Sequence, residues 1–331
     1  MGGLLSEEQL RTFDEVGAVT LDALGDRDHP LLRALEAMLD EHAAEAPADE
    51  DGKRPARSMV PMETRLQTPA FVDYVSHEWL EGVACELLRS PRVLFFQSGS
   101  CGCSYPQARP EDGSYGTGSP GDPGHEERAR RWRAERFSGH VDTWVSASDW
   151  HATPRRTILL FWLWLADVTV DRSPMMFCPA SHLPIAAANE AHGAPHLPHA
   201  GGAPYRKEDG SIVSGYLPYN FDSSQLSEPQ PLLAKRGQVT ALTTGMYHTS
   251  SPNFDITPGP PSSRARKWIN IMYVPESCPV GVSEESGRSG REITTQLRAA
   301  IIRRNPARAR VADPDGARAA RPAEAFQLPR L

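Results

Sequence analysis

This chain is short of cysteine, of charge in one sign, and of long apolar runs. Five cysteines in 331 residues, irregularly spaced, do not make a disulfide scaffold. The nearest pair, Cys101 and Cys103, has one intervening residue, which is neither the usual redox spacing nor the usual zinc spacing. Reduced, inert thiols in a cytoplasmic protein are the expectation. A formal net charge of −7 argues against non-specific nucleic-acid binding. No apolar run reaches the ~18 residues of a membrane span; the longest, Ile158 to Ala166, suits a buried strand. The opening MGGLLSEEQL lacks a basic stretch followed by an apolar one, so no signal peptide is expected. No internal repeat is visible.

What is present is a globular composition, 39% hydrophobic with 7 Trp and 10 Phe. Helical signals come first. Ser6 and Gln9 form a capping box, Leu10 and Phe13 an apolar stripe, and Gly17 a stop, predicting a helix over 6–17. A short strand over 18–21 follows, then an amphipathic helix over 29–44, a polar loop over 45–58, and helical periodicity over 69–89. Strand-like segments come later: 92–97, 157–166, 175–178, 238–244 and 267–274. Short antiparallel strands after a helical layer predict a mainly β fold with flanking helices, a cupin-like double-stranded β-helix or jelly roll. The expected organisation is one domain over 1–280, with a helical layer at 5–90 and a jelly-roll core at 91–280. A C-terminal helix over 281–304 (periodic from 291, capped by Ser289 and Glu292) and a poorly ordered tail over 305–331 complete it. Two long Gly/Pro-rich loops, 99–139 and 184–230, interrupt the strands; loops of this length are functional or disordered.

The chemistry centres on His140-Val141-Asp142. With 11 His and 42 carboxylates among 331 residues, chance gives about 1.4 His-x-Asp/Glu tripeptides, so the tripeptide alone is near noise. The other one, His125-Glu126-Glu127, opens the charge run HEERARRWRAER, which reads as a solvated helix or loop. His140 instead leads into strand-like Val141, Thr143, Trp144 and Val145, where residues i and i+2 share a face. With the distant His248, the pair would make the two-histidine, one-carboxylate set of non-haem Fe(II) oxygenases.

An ordered series of motifs extends this. After His140-Val141-Asp142 come Phe161 to His182, ending in Pro179-Ala180-Ser181-His182, then Arg236-Gly237-Gln238-Val239, His248-Thr249-Ser250-Ser251-Pro252-Asn253, and Arg266-Lys267 opening a last strand. The series resembles the phytanoyl-CoA dioxygenase family of Fe(II)/2-oxoglutarate oxygenases, strongly over about 140 residues. The resemblance implies Fe(II), 2-oxoglutarate and O2, with ascorbate as reductant in vitro. It implies metal ligands at His140, Asp142 and His248, and Arg266 on the distal carboxylate of 2-oxoglutarate. Trp162, Ser250 and Gln97 fall at further cosubstrate contacts. The implied activity is oxidation, most simply hydroxylation, of a small molecule, releasing succinate and CO2. Two rivals stay open: a metal-binding cupin with a non-oxygenase activity, and an inactive jelly-roll binding protein.

The chain departs from the family pattern in places. Ala180 stands where glycine is usual, and Arg172-Ser173 replaces an Asn-Gly turn, so a turn needing positive φ is lost or reshaped. The segment Thr257 to Ser263 reads as an inserted loop before Arg266. Arg264 and Arg266 share a strand phase; Arg266 is favoured because the apolar strand resumes after it. His182 reads as a structural histidine, and His192, His196 and His199 as a solvated His-rich loop rather than a second metal site. The 99–139 segment runs straight into His140. Residues 105–135 are therefore expected either to be a lid, mobile until substrate binds, or a surface insertion.

Overall fold

A computed structural model describes residues 3–23, 27–45, 55–97, 100–191, 199–200, 205–206, 212–213, 221–277, 281–282 and 297–306. Among the described residues the helices include α1 (Glu7–Val16), α2 (Pro30–Glu45), α3 (Met62–Gln67), α4 (Pro69–Val75), α5 (Glu78–Leu87), α6 (His125–Glu135), α7 (Ala147–His151) and α8 (His182–Ala191). Among the described residues the strands are β1 (Ala18–Asp22), β2 (Arg57–Met59), β3 (Val93–Gln97), β4 (Cys101–Ser104), β5 (Leu159–Trp164), β6 (Met175–Phe177), β7 (His199–Ala200), β8 (Tyr205–Arg206), β9 (Ile212–Val213), β10 (Gln230–Leu232), β11 (Gln238–Thr243), β12 (His248–Ser250), β13 (Arg266–Pro275) and β14 (Gly281–Val282). Residues 297–304 are helical.

The major sheet is seven-stranded and antiparallel, in the order β1-β11-β5-β13-β4-β2, with β3 also paired to β13. A minor sheet, β10-β6-β12, lies opposite. Alternation along each major strand divides the core in two. Leu159, Phe161, Leu163, Val239, Ala241, Ile269 and Ile271 face the helical layer, where they pack with Leu32, Leu35, Leu39, Phe71 and Val83. Leu160, Trp164, Leu242 and Trp268 face inward, against Met175 and Leu232 of the minor sheet. Each fully buried Leu or Ile contributes about 1.5–3 kcal/mol through the area it removes from water. The fold is the expected jelly roll with flanking helices.

Local chemistry sets several element ends. Ser6 and Gln9 make the reciprocal cap of α1, and Gly17 closes it at φ 84°. A Cβ at Gly17 would lie 2.5 Å from His182 Nδ1, so only glycine fits. The helical stretch over 69–89 is two helices: Ser76 Oγ donates back to the Val72 carbonyl at 2.8 Å, and His77 caps α5 through the Trp79 amide. The 45–58 loop ends earlier than expected, because Arg57–Met59 pairs with β4 as an edge strand.

The expected 99–139 loop holds β4 and α6, and the expected 184–230 loop begins inside α8. His192 and His196, the side chains of His199 and Gln97, and the Ser289/Glu292 cap lie outside the described residues, as does the tail from 307. Within the described residues no helix is long and apolar enough to cross a membrane.

Both departures from glycine keep the left-handed backbone: Ser173 has φ 47° and Ala180 has φ 62°. The turns are therefore retained, at a cost on the order of 1 kcal/mol each, because neighbouring hydrogen bonds over-determine them. Ala180, for example, donates its amide to the Val16 carbonyl at 2.9 Å.

Candidate active site

His140 and His248 are joined by a reciprocal backbone bridge, each amide donating to the other's carbonyl at 2.9 Å. The Asp142 amide donates to the Thr244 carbonyl, also at 2.9 Å. The His140–Val145 stretch is not the regular strand expected; it is an irregular segment pinned at these two points. The pinning still turns His140 and Asp142 to one side. His140 Nε2 lies 3.3 Å from Asp142 Oδ1, and His248 Nε2 lies 3.6 Å from Asp142 Oδ2. One donor atom from each residue falls within 4.8 Å of the others. Two donors about 2.1 Å from one metal, at right angles, stand about 3 Å apart, so this set can hold a single divalent ion.

The protonation states suit that use. His248 Nδ1 donates to the Met246 carbonyl at 2.9 Å, which leaves the Nε2 lone pair facing Asp142. Burial pushes the His248 pKa down, outweighing the Asp142 charge that would raise it. Burial alone would raise the Asp142 carboxyl, but His248 and His140 override it and hold it below the usual range. The side chains of His140 and Asp142 remain 43% and 32% exposed, leaving room for further ligands.

The second feature is Arg266. It opens β13 on the inward phase shared with Trp268, whereas Lys267 points outward to Glu36 and Asp40 at 2.8 and 2.9 Å. Arg266 is 1% exposed. Its guanidinium lies 4.4 Å from the centroid of Trp268, and it donates to the Ser173 carbonyl at 2.7 Å. Among the described residues its Nε has no partner, and no carboxylate pairs with it. Burial, reinforced by the nearby charges of Arg57 and Arg133, lowers its pKa to about 9.

Arg264 differs in kind. It ends a 3-10 helix, Pro261–Arg264, rather than sharing the strand phase, and it donates to the Asp255 carbonyl at 3.0 Å. Asn253 fixes this junction, its side-chain amide donating to the Ser104 and Arg264 carbonyls.

Trp162 faces inward from β5, half-buried, its Nε1 without a partner among the described residues. Ser250 lies two residues past His248 on β12, on the same strand face. Gln97 pairs with Met272 at the end of β3. His182 is buried, with Nε2 3.2 Å from the Asp14 carbonyl, a structural position as expected.

Sequence reasoning missed a buried group beside Arg266. His125 is 1% exposed, not solvated, and its Nε2 lies 2.8 Å from the fully buried Asp171. Tyr115 and Arg133 join it. The residues read as a lid are thus anchored through buried polar contacts. Only the i, i+4, i+8 spacing of His125, Ala129 and Arg133, the buried stripe of α6, hinted at this.

No protein-family model and no curated protein sequence matches this chain. Solved structures do. SnoK, a non-haem α-ketoglutarate-dependent carbocyclase from nogalamycin biosynthesis, aligns with TM-score 0.51 at 16% identity, over 88% of this chain and 94% of its own. That likeness establishes a common fold. SnoN, an epimerase in complex with Fe3+, α-ketoglutarate and nogalamycin RO, aligns at TM-score 0.49 and 15% identity, over 84% and 87%. EctD from S. alaskensis, with 2-oxoglutarate and 5-hydroxyectoine, aligns at 0.47 and 16%, over 84% and 79%.

Proposed function

We propose that this chain is an Fe(II)- and 2-oxoglutarate-dependent dioxygenase acting on a small molecule, most simply by hydroxylation, with succinate and CO2 as co-products. The observation that carries the reading is a pairing inside one jelly roll. Three convergent donors, His140, Asp142 and His248, lie among the inner-face residues with a buried arginine that no carboxylate among the described residues pairs with. A zinc-storage or purely structural metal site has no use for such an arginine. An inactive binding protein has no use for an intact, half-open donor set.

Bound iron would supply the activation of O2 and the oxidising power. The protein's own residues do the rest. His140, Asp142 and His248 would hold the ion, with the Met246 carbonyl fixing the His248 tautomer. Arg266 would bind and orient the distal carboxylate of 2-oxoglutarate, its planar fork matching two carboxylate oxygens. Ser250 and Trp162 would add a polar and an aromatic contact to the cosubstrate. Trp164 and Trp268, both buried, keep water away from the arginine.

The finer assignment, to the phytanoyl-CoA dioxygenase family, is supported by the order of the motifs from His140 to Arg266. In this reading residues 1–280 form the oxygenase unit of a cytoplasmic enzyme. The test is succinate release by purified protein with Fe(II), 2-oxoglutarate and ascorbate, while small molecules are screened by mass spectrometry. Succinate formation that needs Fe(II) and is lost in His140→Ala supports the reading. Succinate formation that survives in His140→Ala contradicts it.

A further inference from the structure

The segment between Ser104 and His140 carries buried chemistry that metal and cosubstrate binding leave unused. Asp171, fully buried, accepts a hydrogen bond from the Tyr115 hydroxyl and contacts His125 Nε2 at 2.8 and 3.1 Å. Arg109 adds a longer ion pair at 3.9 Å. Arg133 donates from Nε to the Val170 carbonyl at 2.7 Å and from one terminal nitrogen to the Pro252 carbonyl at 3.0 Å. Its other terminal nitrogen reaches the Tyr115 hydroxyl at 3.1 Å and the Asp171 carbonyl at 3.4 Å. Its guanidinium also lies over the Tyr115 and Phe254 rings. Four side chains from outside the jelly roll, those of Arg109, Tyr115, His125 and Arg133, thus clamp two of its loops, 170–173 and 251–254.

Those loops lead to Arg266. Ser173 sits at φ 47°, a conformation that non-glycine residues hold only when their surroundings enforce it. Its amide donates to the Asp171 carbonyl at 3.1 Å and its hydroxyl to the Ser251 carbonyl at 2.5 Å. Its own carbonyl accepts from Arg266 at 2.7 Å. The path from clamp to arginine is therefore continuous, through Asp171 and Ser173.

We propose that Tyr115, His125 and Arg133 are positioning residues for Arg266: by locking Asp171 they hold Ser173 in its left-handed turn, and the Ser173 carbonyl aims the guanidinium at the ligand carboxylate. This rests on Arg266 receiving the carboxylate of 2-oxoglutarate. The clamp differs from a simple stabiliser in what it changes. It acts on the anion-binding arginine and leaves the metal donors, which are pinned by the His140–His248 bridge and Thr244, untouched.

The test is anaerobic calorimetric titration of the full chain, first with Fe(II) and then, loaded, with 2-oxoglutarate. Arg133→Gln and His125→Gln are expected to weaken 2-oxoglutarate at least tenfold while Fe(II) affinity stays within twofold. Tyr115→Phe, which keeps the ring and loses only the hydroxyl, gives a smaller loss of the same kind and serves should the other two fail to fold. Adding Ser173→Gly to Arg133→Gln, or to Tyr115→Phe in that event, should recover most of the loss, because glycine holds positive φ without a clamp. Unchanged 2-oxoglutarate affinity, equal weakening of both ligands, or no recovery with Ser173→Gly overturns the proposal. Arg266→Ala separates the two claims. If that variant binds 2-oxoglutarate normally, the cosubstrate reading itself fails, whatever the clamp variants do.

Discussion

The donor cluster and the arginine face the same interior and solve opposite electrostatic problems. At the cluster, Asp142 has two histidines beside it, and its side chain and that of His140 stay partly exposed. At Arg266 a cation is sealed from water with no acid among the described residues to pair with, held by the Ser173 carbonyl and an indole face. The first arrangement is stable without ligand and open to more. The second stores an unfavourable burial that an incoming anion offsets. A site that is comfortable when empty binds weakly what it does not need. A buried lone charge selects strongly for its complement.

Removing either histidine should have the largest effect. His140→Ala or His248→Ala is expected to reduce Fe(II) binding and turnover to background, read by metal analysis of protein reconstituted without oxygen. Retained stoichiometric iron would remove the cluster from the comparison.

Next is Arg266→Ala, which would delete the protein's side of the proposed charge pair with 2-oxoglutarate. It should cost about 2–5 kcal/mol, or roughly 30-fold to several-thousand-fold in 2-oxoglutarate affinity. Arg264→Ala, which lies off the strand on a carbonyl, should change that affinity only a few-fold. The reverse ranking would move the carboxylate site.

A third histidine, outside both places, calibrates the cost of burial. The His182 pKa is lowered to about 4, mainly by burial. The folded chain keeps it neutral while the unfolded chain takes up a proton below about 6.5. Stability is therefore full above pH 6.5 and is lost as pH falls towards 4, by on the order of 3 kcal/mol in all. Urea midpoints between pH 7.5 and 4 should show this decline, and His182→Gln should flatten it. An equally steep decline in the variant would assign the acid sensitivity elsewhere.

The smallest effect concerns Ala180, at φ 62° beside α1. Ala180→Gly relieves backbone strain but loosens the unfolded chain, so a net gain of under about 1 kcal/mol is expected in thermal unfolding. Destabilisation would mean that the turn is not strained.

These regions were unequally legible in the sequence. The long apolar strands β5 and β13 announce themselves, because both faces are buried and the run is continuous. The motif order points to His140, Asp142 and His248, whose donor atoms the fold brings together. The three-residue strands β2, β10 and β12 were less legible, since their pairing depends on partners far along the chain rather than on local pattern. The clamp was the least legible. His125 and Arg133 sit in a run of charges that resembles a solvated helix, and a buried polar network carries no hydrophobic signature. The break between α4 and α5 was hidden because a serine bonding back to its own helix leaves the apolar periodicity intact.

One measurement bears most directly on the paired site: anaerobic titration of 2-oxoglutarate into the protein with and without Fe(II), repeated in Arg266→Ala. The paired site predicts one-to-one binding that is strong only with metal present and that falls at least 30-fold in the variant. Binding that is indifferent to both the metal and Arg266 would contradict it.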